Sequence, residues 1–400
     1  MDFSTLSYLS KTPGIGGSIK HSPTDFIVEE ITLENEIIRT DIPFEKQSSG
    51  TLFTIFAICK ESWTTHSIID EISKRLRINP RFFTYAGIKD RSAKTTQLIC
   101  IKGDWRNQIS KLQIKDVKIL GSFLSNSCLK IGDLSGNRFT IKLFFEDSLP
   151  DFSTVSKIKD ELNGFFPNYF GPQRFGSNRL NTHLIGQKII QNDLKGAIDS
   201  ILGDIENETN SEVLFARSEY LKNQDLKEAQ KNFPKHLRLE HSLIEYLIKK
   251  PNDFSGALKN LPRSMALLYI HAFQSYLFNL LLNERLSEGE LLLEEGEYFA
   301  KFDSLFPNEE LPAPSGPIVG KLIGFQTILS KREKKILDSF NLSKENFKIK
   351  SLPDLSSKGG KRLLLCPLIN FNFSDSIFTF TLPSGSYATS LLREFMDKKK

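Results

Sequence analysis

The sequence predicts an α+β protein in which a mixed or antiparallel sheet domain is built from both ends of the chain, with a largely helical domain inserted between them. Three observations predict it. The first 150 residues interleave strand-like runs with a few helical patterns, the chain turns helical from about 168, and strand-like runs return near Ser351. A length of 400 residues allows two or three domains. The expected boundaries are 1–167 for the first part of the sheet domain, 168–350 for the insertion and 351–400 for the last part.

Residues 24–31 (TDFIVEEI) and 51–59 (TLFTIFAIC) alternate or run apolar and are rich in β-branched and aromatic side chains, as strands are. Between Trp63 and Ile78, Ile68, Ile69, Ile72 and Leu76 recur at helical spacing behind Thr64 and Thr65 as N-caps. Pro80 opens a short helical turn that Gly87 closes. Residues 95–102 (TTQLICIK) and 136–145 (GNRFTIKLFF) are further strands. In the insertion, 183–203, 208–232 and 236–250 read as amphipathic helices, and 263–288 as the longest helix. Residues 307–317 form a proline-rich loop, 362–366 and 376–382 return as strands, and 383–390 turns into a final helix ahead of a basic tail.

Hydrophobic residues at 39% and charged residues at 25% are ordinary for a globular protein. No uninterrupted apolar run approaches the ~18 residues of a membrane span. The first residues lack the basic-then-apolar pattern of a secretory signal. Cys59, Cys100, Cys128 and Cys366 are far apart, with no C-x-x-C pair, and the histidines show no ligand spacing. Neither a metal site nor a disulfide framework is expected, and the setting expected is reducing and cytoplasmic.

Charge is unevenly placed. Residues 74–118 hold twelve Lys/Arg against three Asp, a surplus of nine, in a chain of net charge +5. A basic segment beside a mildly acidic remainder points to a polyanion-binding face. Inside it lies YAGIKDRSAKTTQ, 85–97, where one carboxylate, Asp90, sits among Lys89, Arg91 and Lys94. Ala86 and Gly87 allow a tight turn and a close approach. An acid ringed by cations is favoured in its ionised form, which suits a nucleophile or base facing an anionic substrate. The same residues also suit a surface loop whose acid makes a salt bridge.

Four other segments carry chemistry. Gly14–Lys20 (GIGGSIK) fails phosphate-loop spacing and reads as a glycine turn delivering Lys20. Asn168–Gly176 (NYFGPQRFG) sets aromatics, Gln173 and Arg174 between glycines, suited either to stacking on unpaired bases or to a tight turn against a core. Asn137 opens a strand, where it can orient a substrate by hydrogen bonds. In AFQSYLFN, 272–279, Phe273, Leu277 and Phe278 are core candidates, while Gln274 and Asn279 can tie the helix to a neighbour.

Together these segments resemble the TruD family of pseudouridine synthases. The matching stretches are GGSIKHSPTDFIVEEI (16–31), YAGIKDRSAKTTQ (85–97), GNRFTIKL (136–143), NYFGPQRFG (168–176), AFQSYLFN (272–279) and LPSGSYATSLLRE (382–394), in the family's order over almost the whole chain. The resemblance implies a V-shaped molecule with a pseudouridine-synthase catalytic domain and a TruD-specific helical insertion. It implies that uridine becomes pseudouridine in RNA, usually at uridine 13 of tRNA, with a flipped-out target base and no cofactor. The family's nucleophilic aspartate falls on Asp90, and Lys20, Phe26, Asn137, Phe139 and Tyr387 fall on residues around it. Lys20 would support Asp90 electrostatically, Asn137 would orient the base, and Phe26, Phe139 and Tyr387 would wall it. Tyr387 stands where many relatives have Phe, which adds a hydroxyl. Lys89, Arg91, Lys94, Arg174 and Arg393 are the candidates for RNA phosphate or for pairing with acids. The expected partner is tRNA, with no membrane and no obligate protein partner. Two other readings are a catalytically silent tRNA-binding or RNA-folding protein and a base-excising glycosylase.

Overall fold

The computed structural model describes residues 3–146, 150–176, 179–289, 291–301 and 313–397. The chain divides into two compact units, Leu9–Phe166 with Cys366–Lys400, and Met1–Tyr8 with Pro167–Leu365. The first contains the eight-stranded sheet. Its strands are Phe26–Ile31 (β1), Phe53–Glu61 (β2), Phe83–Tyr85 (β3), Lys94–Lys102 (β4), Val117–Ser125 (β5), Gly136–Lys142 (β6), Ile369–Ser374 and Ile377–Pro383. From one edge the order is 369–374, 377–383, β6, β1, β4, β2, β5, with β3 also on β4. β1 and β4 run parallel, and every other neighbouring pair is antiparallel.

Register decides which side chains share a face, because residues directly opposite one another point the same way. Phe26 faces Ile141, Val28 faces Phe139 and Glu30 faces Asn137. Val28 also neighbours Thr95, and Lys60 faces Thr95. One face of the sheet thus carries two apolar clusters. Phe26, Val28, Phe139, Ile141, Phe378 and Phe380 pack with the helices Ser153–Leu162 and Ala388–Met396. Phe56, Ile58, Ile99 and Ile101 pack with Thr65–Leu76, which we call α1. At the junction of the clusters the same face turns polar, with Glu30, Lys60, Thr95, Gln97 and Asn137.

α1 is fixed at both ends. The Thr64 hydroxyl accepts from the Ser67 N–H while Ser67 caps Thr64 in return, and Arg77 closes the helix in the left-handed conformation. Its buried stripe is Ile68, Ile69 and Ile72. The chain ends meet in this unit. Ile15 N–H donates to the Phe395 carbonyl, and the buried Glu394 carboxylate accepts from the N–H groups of Leu9 and Ser10.

The other unit is built on seven helices from Thr182 to Ser287, the last being the long Arg263–Ser287. That last helix is long and apolar enough to cross a bilayer, yet 67% of its most apolar window is buried inside the molecule. Phe273, Leu277 and Phe278 lie in the core. Gln274 donates to the Ile323 carbonyl, and the Asn279 amide bonds both the N–H and the C=O of Phe170.

Several expectations change. Pro80–Phe82 is a single 3-10 turn, and the chain then enters β3 because Phe83–Tyr85 pairs with Ile99–Ile101. β5, Ser153–Leu162 and Ile369–Ser374 are further elements. Residues 351–365 join the helical unit, since Gly360–Leu363 pairs with Ile318–Leu322, and so do the first eight, where Ser7 N–H donates to Asn283. Cys100 and Cys128, 28 residues apart, form a disulfide that their spacing does not signal, because only the sheet brings them together. Cys59 and Cys366 are buried and take no part in this bridge. The proline-rich loop at 307–317 lies outside the described residues through 312, as do the last three residues of the basic tail.

Gly136 is required by close approach: a Cβ there would lie 2.3 Å from the Leu382 carbonyl oxygen of the adjacent strand. Gly136→Ala should therefore cost about 1–3 kcal/mol of stability, read as a lower denaturation midpoint in urea with unchanged slope.

Candidate active site

The loop 86–93 leaves β3 and returns as β4, and it is pinned at alternate points. The Ala86 carbonyl accepts from Gly132 N–H at 2.8 Å. The Lys89 N–H donates to Thr65 Oγ1, which in turn donates to Gln97 Oε1, both at 2.9 Å. Ala93 is fully buried. Asp90, Arg91 and Ser92 lie between these anchors with exposed side chains. Gly87 is not what shapes the turn: its φ is ordinary, and a Cβ would make only van der Waals contacts with Lys89 and Leu134.

Lys89 points inward. Its side chain is 5% exposed and its ammonium lies 2.8 Å from Glu30 Oε2, a carboxylate 1% exposed. The same ammonium donates to Asn137 Oδ1 at 2.7 Å. Glu30 Oε1 accepts from Leu98 N–H, so this one carboxylate bridges the loop to β4. Lys60, from the end of β2, is fully buried beneath the loop and donates to the carbonyls of Trp63 at 2.5 Å and Asp90 at 3.4 Å. Burial, with the nearby Lys89 charge, pushes the Lys60 pKa down to about 8 against an opposing pull from Asp90.

Beside the loop, Phe26 meets Phe139 edge-on at 6.2 Å, and Phe139 stacks on Phe380 at 5.3 Å. Phe26 and Phe139 are nearly buried, and Tyr387 is half-buried at the start of the last helix. Gly16 and Gly17 take positive φ, and Ser18 pairs with Phe144, which leads the chain to Lys20. The Lys20 ammonium lies 4.3 Å from the Phe26 ring centre as a cation–π contact and makes no ion pair with Asp90.

Of the five cations expected on RNA phosphate, Arg91 is the exposed one. Lys89 is withdrawn into the Glu30 pair. Lys94 lies 3.3 Å from Glu61 and 3.6 Å from Asp41; burial would lower its pKa, but these carboxylates outweigh it and the net shift is upward. Arg174 donates to Ser275 Oγ at 3.0 Å and lies 5.6 Å from the Phe170 ring. Arg393 is 9% exposed beside Asp397. The aromatics of 168–176 also turn inward, with Tyr169, Phe170 and Phe175 buried. The basic segment keeps Lys74, Arg77, Arg81, Lys102, Lys111, Lys115 and Lys118 on its surface.

Glu30, Lys60 and Gln97 were not singled out by the sequence, and Thr65 was read only as a helix cap, a role that Thr64 fills. For Glu30 a signal exists, since alternation puts this acid on the same face as Phe26 and Val28. Lys60 carried a fainter one, a charge ending an apolar run on the face of Phe56 and Ile58.

A family model described as tRNA pseudouridine synthase D (TruD) matches residues 2–395. The chain belongs to the TruD family. The probable tRNA pseudouridine synthase D of Thermococcus sibiricus is 34% identical, with 98% of both chains covered. That of Picrophilus torridus is 33% identical over 99% of this chain and 97% of its own. A crystal structure of the putative TruD of Methanosarcina mazei has a TM-score of 0.73 and 29% identity, covering 98% of this chain and 96% of its own. This TruD-family chain shares with it the mixed α+β fold described above.

Breaking the buried pair should cost far more than its net worth. Glu30→Gln or Lys89→Met alone leaves an uncompensated buried group and should lose about 3–5 kcal/mol, whereas the double variant should recover most of it in a thermodynamic cycle from urea denaturation.

Proposed function

We propose that the chain converts uridine 13 of tRNA to pseudouridine, with Asp90 as the nucleophile or base that acts at the ribose. Family membership carries the coarser half, an isomerase that turns uridine into pseudouridine in tRNA. One observation supports the finer half: Asp90 is the exposed carboxylate of a loop whose neighbours are locked into the sheet, on the face that carries the Phe26–Phe139–Phe380 rings.

The reaction breaks the uracil N1–C1′ bond, turns the base and rejoins it through C5, so no atom is gained or lost overall. The Asp90 carboxylate attacks C1′ and displaces the uracil, or removes the C2′ proton to give a glycal. C5 then bonds to C1′ as the Asp90 oxygen departs, or, on the glycal path, as C2′ takes its proton back from Asp90; C5 loses its proton and N1 gains one, so the sum is unchanged. The target must first leave its stack, at a cost of a few kcal/mol that ring contacts offset. Phe26 and Phe139, largely committed to the core, form the floor of the base site, and the half-buried Tyr387 a wall. Asn137 has its Oδ1 held by Lys89, which leaves its N–H₂ to meet a base carbonyl. Lys20, seated on Phe26, brings positive charge to the departing uracil. Arg91 and the exposed cations of 74–118 hold the RNA backbone.

Asp90→Asn should abolish pseudouridine formation, measured by base-modification mapping of tRNA, while tRNA affinity stays within a few-fold and no free uracil is released; full turnover would overturn the assignment. Phosphate contacts release counterions, so tRNA affinity should fall at least about tenfold between 50 and 200 mM salt. Replacing Lys111, Lys115 and Lys118 together by Gln should flatten that slope in a filter-binding titration.

A further inference from the structure

The Lys20 ammonium, the cation expected to support Asp90, sits on Phe26 instead. A different cation lies under the loop. Lys60 is 0% exposed, and among the described residues no carboxylate forms an ion pair with it. Its hydrogen bonds go to two main-chain carbonyls, those of Trp63 and Asp90 itself. A buried ammonium bonded only to neutral acceptors is costly to the fold, which points to a use beyond packing.

We propose that Lys60 is a positioning residue for Asp90: its ammonium, anchored on the Trp63 carbonyl, reaches the Asp90 carbonyl at 3.4 Å and brings positive charge near the carboxylate, leaving both carboxylate oxygens free for the substrate. The inference rests on the reading of Asp90 as the reacting group. The geometry suits it. Lys60 faces Thr95 on β4 and Val117 on β5, neither of which titrates. The charged or titratable groups that bear on it are Lys89 and Asp90 of the loop and Cys59 of its own strand. Lys89 is spoken for by Glu30, so the Asp90 charge is the one left to balance Lys60. With its pKa lowered from 10.5 to about 8, the proton on Lys60 is held below about pH 8 and lost above it. The sign for stability follows: protonation taxes the folded state, so stability rises as pH climbs from about 8 to 10.5.

The test uses the full chain on intact tRNA: single-turnover pseudouridine formation from pH 6 to 9.5, with tRNA affinity and melting temperature, for wild type, Lys60→Met, Lys60→Arg and Asp90→Asn. The wild-type rate should decline above about pH 8. Lys60→Met should melt at or above wild type and bind tRNA normally, yet lose about 10²-fold in rate, the scale of a misplaced reacting group. Lys60→Arg should retain part of the rate with its alkaline decline displaced upward. Three results overturn the proposal: a Lys60→Met enzyme with wild-type rate, a Lys60→Met protein that melts lower, which makes the residue structural, or a wild-type alkaline profile that is flat or unmoved in Lys60→Arg. Each leaves the Asp90 reading standing so long as Asp90→Asn is inactive; an active Asp90→Asn overturns both.

Discussion

A lysine and a glutamate shielded from water join the loop that carries Asp90 to the sheet. Glu30 belongs to β1, takes a main-chain N–H from β4 and receives Lys89 from the loop, while Lys89 also reaches Asn137 on β6. Such a pair adds little net stability, because desolvation offsets much of its attraction. Its value is geometric. Three strands and the loop share two side chains, so the loop cannot shift without stranding a charge in the core, and Asp90, the next residue, inherits that fixity.

The placement follows from sheet register. Glu30 and Asn137 are opposed across β1 and β6, and the same register sets Phe139 beside Val28 and Phe26 beside Ile141. A one-residue slip would send the whole set to the opposite face. The rings, the amide and the buried acid are therefore one device, made from two strands about a hundred residues apart in sequence. The last strand, Ile377–Pro383, adds Phe380 to the stack from the far end of the chain, and Gly136 lets it approach. A site built from both chain ends requires those ends to be tied, which Glu394 and the Ile15–Phe395 bond accomplish.

Much of this was legible in the sequence, and the gaps have physical causes. Periodicity found β6 and α1, which bury one face, and β-branched and aromatic runs found β1, β2 and β4, which are buried along almost their whole length. Both signals missed β5, a sheet-edge strand with an irregular burial pattern, and Ile369–Ser374, a short edge strand that alternates but carries two asparagines, a residue type disfavoured in strands. The motif around Asp90 was visible as chemistry, yet the directions of its neighbours were not. A run of cations reads the same whether a lysine points to solvent or to a glutamate sixty residues away, so Lys89 passed for a surface charge. Arg174, Arg393 and the aromatics of 168–176 left two readings open for the same reason, since composition does not say which way a turn faces. The Cys100–Cys128 pair needed three-dimensional proximity that no spacing rule encodes.

Orientation also sorts the basic segment into two jobs. Its exposed members, spread over α1, β4 and the approach to β5, present charge outward, where a polyanion can meet it in high dielectric and on-rate and salt dependence are decided. Lys89 and the adjacent Lys60 act in low dielectric, where one charge is felt strongly over a few ångströms. Beneath Asp90 the buried set holds two lysines against one glutamate, a surplus of positive charge that touches the main chain rather than the carboxylate. A direct salt bridge to Asp90 would occupy the carboxylate oxygens to which the proposed mechanism gives the reaction. In the proposed arrangement, charge delivered from below, beside a backbone carbonyl, would support the carboxylate and leave its oxygens open.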